Sequence, residues 1–213
     1  MTAVRTTPCT LAMLSLCLLT VGLWQIGEGS WIYAKARFAQ YLLQRAWFRT
    51  LNGQTGVRPW PWADTYPVAR LRVPSMHVNV VVLNGSYGRA MAFGPAYAES
   101  SAFPGSPGTT ILTGHRDTHF RFLRRLKRQD EIVIETVQRT SERYRVQSSQ
   151  IVDARTASIT LTKGKDRLAL VTCYPFDAVL AGGPLRYVVT AIRVPSALPR
   201  SIDRPGGKES AGR

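Results

Sequence analysis

Apolar positions fall into two zones that differ in length and periodicity. Residues 10–26 are uncharged and mostly apolar, whereas later apolar runs are short and are separated by Gly, Pro and Asn. An unbroken run of this length is at the short end of what spans a bilayer. Short runs between turn residues are typical of β-strands. The pattern therefore predicts a transmembrane helix followed by a strand-rich domain.

The domain extends over residues 63–195 and is predicted to be all-β. One helical stretch, 118–127, places Phe122, Leu123 and Leu126 on one face. Many short strands in one domain indicate a closed β-barrel or a sandwich. The predicted strands are 68–73, 78–83, 109–113, 131–135, 143–146, 167–173 and 186–194.

The segment between the two zones, 27–62, combines a helix with a linker. Residues 31–50 carry aromatic and basic side chains at helical spacing. Two interpretations stay open: a juxtamembrane helix lying on anionic lipid, and a helix packed on the domain. Residues 51–62 form a Gly/Pro linker, and 196–213 form a polar tail expected to be disordered.

The fate and orientation of the apolar segment are a separate question. A cleaved signal peptide is the alternative to an anchor, and Ala34-Lys35-Ala36 is a candidate processing site. That site lies far beyond the apolar run, which favours an anchor. Arg5 precedes the segment, but four basic residues follow it by position 49, so the positive-inside rule alone predicts the opposite orientation to that of an exported domain.

A formal net charge of +15 favours anionic surroundings without choosing among them. Residues 116–128 contain six basic side chains against Asp117 alone, which supports an alternative function in binding nucleic acid or an anionic polymer. Against it, few aromatic residues interleave with those arginines, and the apolar N-terminal segment points to a membrane. The sequence therefore favours a membrane protein that does not bind nucleic acid.

Three cysteines are present, and two of them, Cys9 and Cys17, lie in or beside the apolar segment. Cys173 is the only thiol in the remaining chain, so the domain has no internal disulfide and no multi-cysteine zinc site. No acidic cluster indicates a calcium site. The sequence predicts no metal and no cofactor.

Three residues carry the candidate chemistry. His115 follows a predicted strand and Gly114, Cys173 ends another strand just before Tyr174-Pro175, and Arg186 begins the next. Each has an ordinary structural alternative: a surface histidine, an inert core thiol and a solvated edge arginine. Arg186 follows Cys173 by thirteen positions, a separation that suits a loop joining adjacent strands.

These segments resemble the sortase family, in particular a class D-like branch from Gram-negative bacteria, over residues 60–194. The resemblance implies an eight-stranded barrel in which His115, Cys173 and Arg186 converge on a groove. The motifs that carry it are Gly114-His115-Arg116-Asp117, Leu170-Val171-Thr172-Cys173, Arg186, Trp60-Pro61-Trp62-Ala63-Asp64, Pro67-Val68-Ala69-Arg70-Leu71, Phe93-Gly94-Pro95 and Phe103-Pro104-Gly105.

The resemblance also implies a function. A cysteine transpeptidase would cleave an LPXTG-like C-terminal sorting signal through a thioacyl-enzyme and pass the acyl group to an amine. Transfer to water or to a lysine stays open. The resemblance places the N-terminus in the cytoplasm, the anchor in the inner membrane and the domain in the periplasm.

Two neighbouring residues have secondary assignments. Thr172 is expected either to bind substrate or to orient Arg186. Asp117 is expected to cap the helix that follows it, because the resemblance implies no essential acid at that position.

Overall fold

The computed structural model describes residues 8–85, 88–159, 166–178 and 182–195. A single helix, α1 (Pro8–Leu51), precedes a β-domain. The predicted tail, 196–213, lies outside the described residues. The eight strands are β1 (Pro67–Val73), β2 (Val78–Asn84), β3 (Ala96–Tyr97), β4 (Thr109–Thr113), β5 (Glu131–Thr136), β6 (Ser141–Asp153), β7 (Arg167–Cys173) and β8 (Leu185–Val194).

The strands form a closed barrel in the order β1-β2-β3-β4-β7-β8-β6-β5. Closure comes from antiparallel pairing of β1 with β5. β4 and β7 are parallel, whereas β7 and β8 are antiparallel. The predicted eight-stranded barrel is therefore confirmed, and β7 lies between the two strands that lead to the other candidate site residues.

Alternation along β7 decides which side chains enter the core. Leu168, Leu170 and Thr172 are buried inside, and the intervening positions, including Cys173, lie on the outer face. The interior is filled by large apolar side chains from most strands and from the segment between β4 and β5, among them Leu71, Leu112, Phe120, Leu123, Ile132 and Tyr144. The core thus fixes the register of the strands that carry the candidate site.

The predicted helix 118–127 is shorter and tighter than expected. The described chain has a 3₁₀ helix over Arg121–Arg125, preceded by turns. Phe122, Leu123 and Leu126 are buried as predicted. The prediction that Asp117 caps this helix is wrong. The N-cap residue is Phe120, and the cap has no side-chain hydrogen bond.

α1 merges two segments that the sequence separates into an anchor and a second helix. Among the described residues it is the one helix that is long and apolar enough to cross a membrane by length and composition, and its apolar window is exposed. Its C-terminal end packs on the barrel: Leu43 and Trp47 are fully buried against Val81 and Leu83 of β2. The packed interpretation therefore holds for this end, whereas Phe38 and other aromatic residues before it are exposed.

Candidate active site

Cys173 is the last residue of β7 and lies on the outer face of the barrel. Its side chain is half-buried and its thiol is free. It is the one free cysteine of the β-domain in the described part of the chain, since Cys17 lies in α1. A thiol at the end of a strand and partly open to solvent is accessible to a peptide substrate.

Arg186 lies directly opposite Cys173, because the two residues are Cα partners in the β7–β8 pairing. Facing residues of an antiparallel pair point to the same side of a sheet. The Arg186 guanidinium donates from Nη1 to the Gly183 carbonyl at 2.7 Å and to the Leu185 carbonyl at 2.9 Å. These bonds hold the side chain near the strand end and do not use its Nε and Nη2 hydrogens.

His115 approaches Cys173 from the opposite side, beyond the end of β4. Thr113 pairs with Val171, and the Gly114 N–H donates to the Val171 carbonyl at 3.2 Å. Continuing this parallel register by two residues places His115 beside Cys173. The His115 carbonyl accepts from the Phe120 N–H at 3.0 Å, and its side chain is exposed. The strands thus place His115 and Arg186 on either side of Cys173.

Gly114 is required by the packing beneath His115. A Cβ at this position would lie 3.0 Å from ring carbons of Phe120, which is fully buried. That distance is shorter than ordinary van der Waals contact, so a side chain would displace the ring or the loop. The glycine therefore lets the chain turn tightly over the core just before the histidine.

Thr172 points into the interior and is 2% exposed. Its hydroxyl donates to the Gly114 carbonyl at 2.7 Å. The contact joins the residue before Cys173 to the residue before His115, so it positions the two candidate residues relative to each other. Substrate binding by Thr172 and orientation of Arg186 by Thr172 both stay predictions. The observed hydrogen bond supports a third role, the positioning of His115.

Arg116 is a positioning residue that sequence reasoning missed. It is 5% exposed, and its Nη1 and Nη2 donate to the carbonyls of Pro175 and Ala178, both at 2.9 Å. Its Nε lies 3.5 Å from Asp117 Oδ1. Arg116 therefore ties the residue after His115 to the loop after Cys173. The sequence placed Arg116 in a motif and in a strongly basic run, but nothing in either distinguished it as a buried positioning residue.

A second histidine, His119, lies near the first. Its Nε2 is 3.5 Å from the Ala92 carbonyl. Burial lowers the pKa of His119, the hydrogen bond to Ala92 raises it, and the nearby His115 lowers it further. The neutral form is therefore favoured, and His115 has a half-buried histidine as neighbour that the sequence analysis did not single out.

A groove of ≈ 420 Å³ crosses the outer face of β4, β7, β8 and β6, with Arg186 among its lining residues. Its middle is apolar, formed by Ala169, Val171 and Val188. Because Cys173 continues the same face of β7, the groove leads towards the thiol. In the described part of the chain, no three His, Cys, Asp or Glu side chains are grouped as they would be around a metal ion.

The structure defines a class of closed β-barrel with a groove on its outer face and a free thiol at the end of one strand. Comparison with known proteins identifies the family. A family model of the sortase domain matches residues 71–194, which is more than half of the chain. The chain therefore belongs to the sortase family.

Individual relatives agree with this assignment. Sortase D of Bacillus subtilis (strain 168) is 31% identical over 125 residues, which make up 58% of this chain and 62% of the relative. The chain thus spans less than two thirds of that curated relative. Sortase C-1 of Actinomyces oris is 28% identical with a TM-score of 0.55, over 61% of this chain and 74% of that one.

One further neighbour shows the fold alone. A structure of Clostridium perfringens sortase C with the C-terminal cell wall sorting motif is 16% identical to this chain, with a TM-score of 0.55. The match covers 76% of this chain and 90% of that one.

Proposed function

We propose that the protein is a membrane-anchored cysteine transpeptidase that acts on a C-terminal sorting signal. The observation that carries the proposal is the position of Cys173 at the end of β7, with Arg186 as its cross-strand partner and His115 at the end of the parallel neighbour. Membership of the sortase family and the groove on the same face support it.

The first chemical step forms a thioester. The Cys173 thiolate attacks the carbonyl carbon of the scissile peptide bond, and the C–N bond then breaks. His115 takes the thiol proton and returns it to the departing amine, a role that contributes roughly 10²–10⁴-fold to the rate. Because an unperturbed thiol is mostly protonated at neutral pH, this step needs a neighbouring base.

Arg186 stabilises the negative oxygen that develops in the tetrahedral intermediate. Its Nη1 is held by two backbone carbonyls. The fixed planar fork directs the remaining N–H groups, and a guanidinium keeps its charge at all working pH values. A donor aimed at developing charge is worth about 2.7–4 kcal/mol.

The second step releases the acyl group. An amine attacks the thioester carbon, the C–S bond breaks, and Cys173 leaves as a thiolate while His115 accepts the amine proton. Water completes the same step when it replaces the amine, giving a processing protease. The exposed side chain of His115 allows either acceptor to approach.

The substrate class follows from the groove and the family. An apolar groove that leads to the thiol suits an extended peptide, and a sorting motif is present in the C. perfringens relative. We propose an LPXTG-like signal cleaved between Thr and Gly, with α1 holding the domain at the outer face of the cytoplasmic membrane.

Peptide cleavage by the detergent-solubilised full chain tests this function. Cys173→Ala and His115→Asn are each expected to reduce cleavage of an LPXTG-like peptide by at least about 10³-fold. The matched controls are Cys17→Ala, an exposed cysteine of α1, and His77→Asn, an exposed histidine at a left-handed position that asparagine tolerates. Added amines should divert product from hydrolysis to transfer. Normal turnover by a folded Cys173→Ala enzyme would refute the proposal.

A further inference from the structure

Thr109 and Arg167 form a polar pair at the end of the groove remote from Cys173. They are Cα partners at the first positions of β4 and β7, and both line the groove. Thr109 is 4% exposed. Because paired residues of neighbouring strands point to the same side of a sheet, both side chains lie on the outer face of the barrel.

Both side chains have an unused buried donor. Thr109 Oγ1 and Arg167 Nε are buried and form no hydrogen bond with any described residue. Buried polar groups in native proteins are almost always hydrogen-bonded, and leaving one unpaired costs about 1–3 kcal/mol. Two such donors side by side in a groove are therefore suited to receive an acceptor from a ligand.

The nearest acidic residue in the sequence is already used. The Asp166 carboxylate accepts from the Gly108 N–H at 2.9 Å and from Arg193 Nη1 at 3.0 Å. The guanidinium of Arg167, which lines the groove, is itself positively charged, and a charged donor favours a carboxylate over a neutral acceptor.

We infer that Thr109 and Arg167 form a subsite for an acidic side chain of the substrate, located upstream of the cleaved motif. This inference rests on the proposed function. Arg167 lies six residues before Cys173, which is about 20 Å along an extended strand. A peptide lying extended along β7 with its scissile carbonyl at Cys173 brings a residue about five to seven positions before the scissile bond to Arg167.

Peptides with one common LPXTG-like core test the subsite. Glu is placed at each of the three upstream positions in turn, and each peptide has a matched Gln version. The full chain is expected to favour the best Glu peptide by about tenfold in kcat/KM, mainly through KM, because the contact exists before and during the reaction. Direct binding of the uncleaved peptides to Cys173→Ala enzyme should show the same ratio in Kd.

Three variants assign the effect to the two residues. Arg167→Gln should lower the Glu preference to about twofold or less, and Thr109→Val should lower it to about threefold. Arg167→Glu should reverse the preference towards a Lys peptide. Arg145→Gln removes an exposed arginine of β6 and should leave the preference intact. Thermal unfolding identifies any variant that fails to fold.

The possible outcomes separate the two proposals. Failure of the parent enzyme to cleave even the core peptide would refute the proposed function, and this inference with it. Cleavage of the core with equal rates for Glu and Gln peptides at all three positions would refute the subsite alone. A Glu preference that survives both Arg167→Gln and Thr109→Val would also overturn it.

Discussion

Arg186 is held by the backbone carbonyls of Gly183 and of Leu185 at the start of β8, so its geometry, and not only its charge, is set by the fold. Arg186→Lys should therefore fail almost as badly as Arg186→Ala, with a loss of about 10²–10³-fold in kcat. The reason is that an ammonium cannot reproduce the planar fork. Steady-state kinetics that separate kcat from KM provide the measurement.

The control for this test is Arg145→Lys, since Arg145 is exposed on β6. Arg193, further along the same strand as Arg186, is unsuitable because it forms ion pairs with Asp166 and Glu142. An Arg186→Lys enzyme with near-parental kcat would mean that positive charge alone, or no group at this position, is needed.

Arg116 is expected to matter through the loop that it holds. Arg116→Met removes two charged hydrogen bonds to the loop after Cys173 and should lower the free energy of unfolding by about 2–3 kcal/mol. The folded fraction should also lose kcat, because the loop no longer fixes the chain next to the thiol. Urea unfolding and kinetics on the same preparation measure both effects.

Arg125→Met is the matched control, because Arg125 is an exposed arginine of the same basic run and should change stability by no more than about 0.5 kcal/mol. Equal stability of the Arg116 and Arg125 variants would contradict the positioning role.

Among the individual site residues, the sequence predicted His115, Cys173 and Arg186 by motif, but it did not predict the positioning role of Arg116. The burial that distinguishes it from its neighbours exists only once the loop packs against it.

Among the elements, strands with a clear apolar pattern were predicted well and irregular ones were not. β4 and β7 have the predicted bounds, because Leu112 of β4 and Leu168 and Leu170 of β7 give each strand an apolar inward face and the strand ends coincide with turns. β6 is much longer than predicted because it pairs with both β5 and β8 across an irregularity near Val146, while its outer positions are polar. β3 has two residues, too few for any periodicity.

The predictions for the two helical segments differ from the structure for different reasons. Gly27 and Gly29 do not interrupt α1, since a glycine within a helix costs only about 1 kcal/mol relative to alanine. The stretch predicted as an α-helix over 118–127 packs as turns and a short 3₁₀ helix, because Phe120 and Phe122 are both drawn into the core. Tertiary packing overrides local propensity in this segment.

The start of β7 is tied to β4 and β8 by Asp166. The hydrogen bond from the Gly108 N–H is the main interaction that lowers the pKa of the Asp166 carboxyl, and the hydrogen bond from Arg193 lowers it further. A carboxyl with a lowered folded-state pKa adds stability above its unfolded pKa of about 3.9, and that stability is lost as the pH falls through the folded pKa. Asp166→Asn should therefore destabilise the protein by about 1 kcal/mol at pH 7 and by less near pH 3.

Chemical denaturation of parent and variant at both pH values measures this difference. Asp64→Asn, at an exposed carboxyl, should have little effect at either pH. A difference between the parent and Asp166→Asn that stays constant over this range would show that the carboxylate charge does not contribute.

In the molecule as a whole, α1 runs without a break from the segment that can cross a membrane to the end that packs on the barrel. The helix has 44 residues, so it is about 66 Å long, roughly twice the thickness of the hydrocarbon core. Arg70 of β1 lies over the Trp47 ring at 5.6 Å and donates to Gln44 at 2.7 Å, which reinforces the packing of the helix on the barrel. The sequence predicted the apolar segment and gave packing of residues 31–50 on the domain as one of two interpretations, but it did not predict that the two form one helix.

We expect the uncleaved chain to stay in the membrane. Tagged protein should fractionate with membranes and resist alkaline extraction, because the apolar half of α1 is exposed in the protein alone. Protease should reach the domain only from the periplasmic side. Soluble mature protein that begins near Ala36 or Arg37 would instead show that the segment is a cleaved signal.

The proposed function depends most directly on a thioester between Cys173 and the substrate. Full-length enzyme is mixed with an LPXTG-like peptide without added amine, quenched in acid, and analysed by intact mass and peptide mapping. The expected result is an adduct equal to the peptide up to and including Thr, located on Cys173, removed by hydroxylamine and absent from Cys173→Ala. Cleavage without any adduct in the Cys173 peptide, or an adduct on another residue, would contradict it.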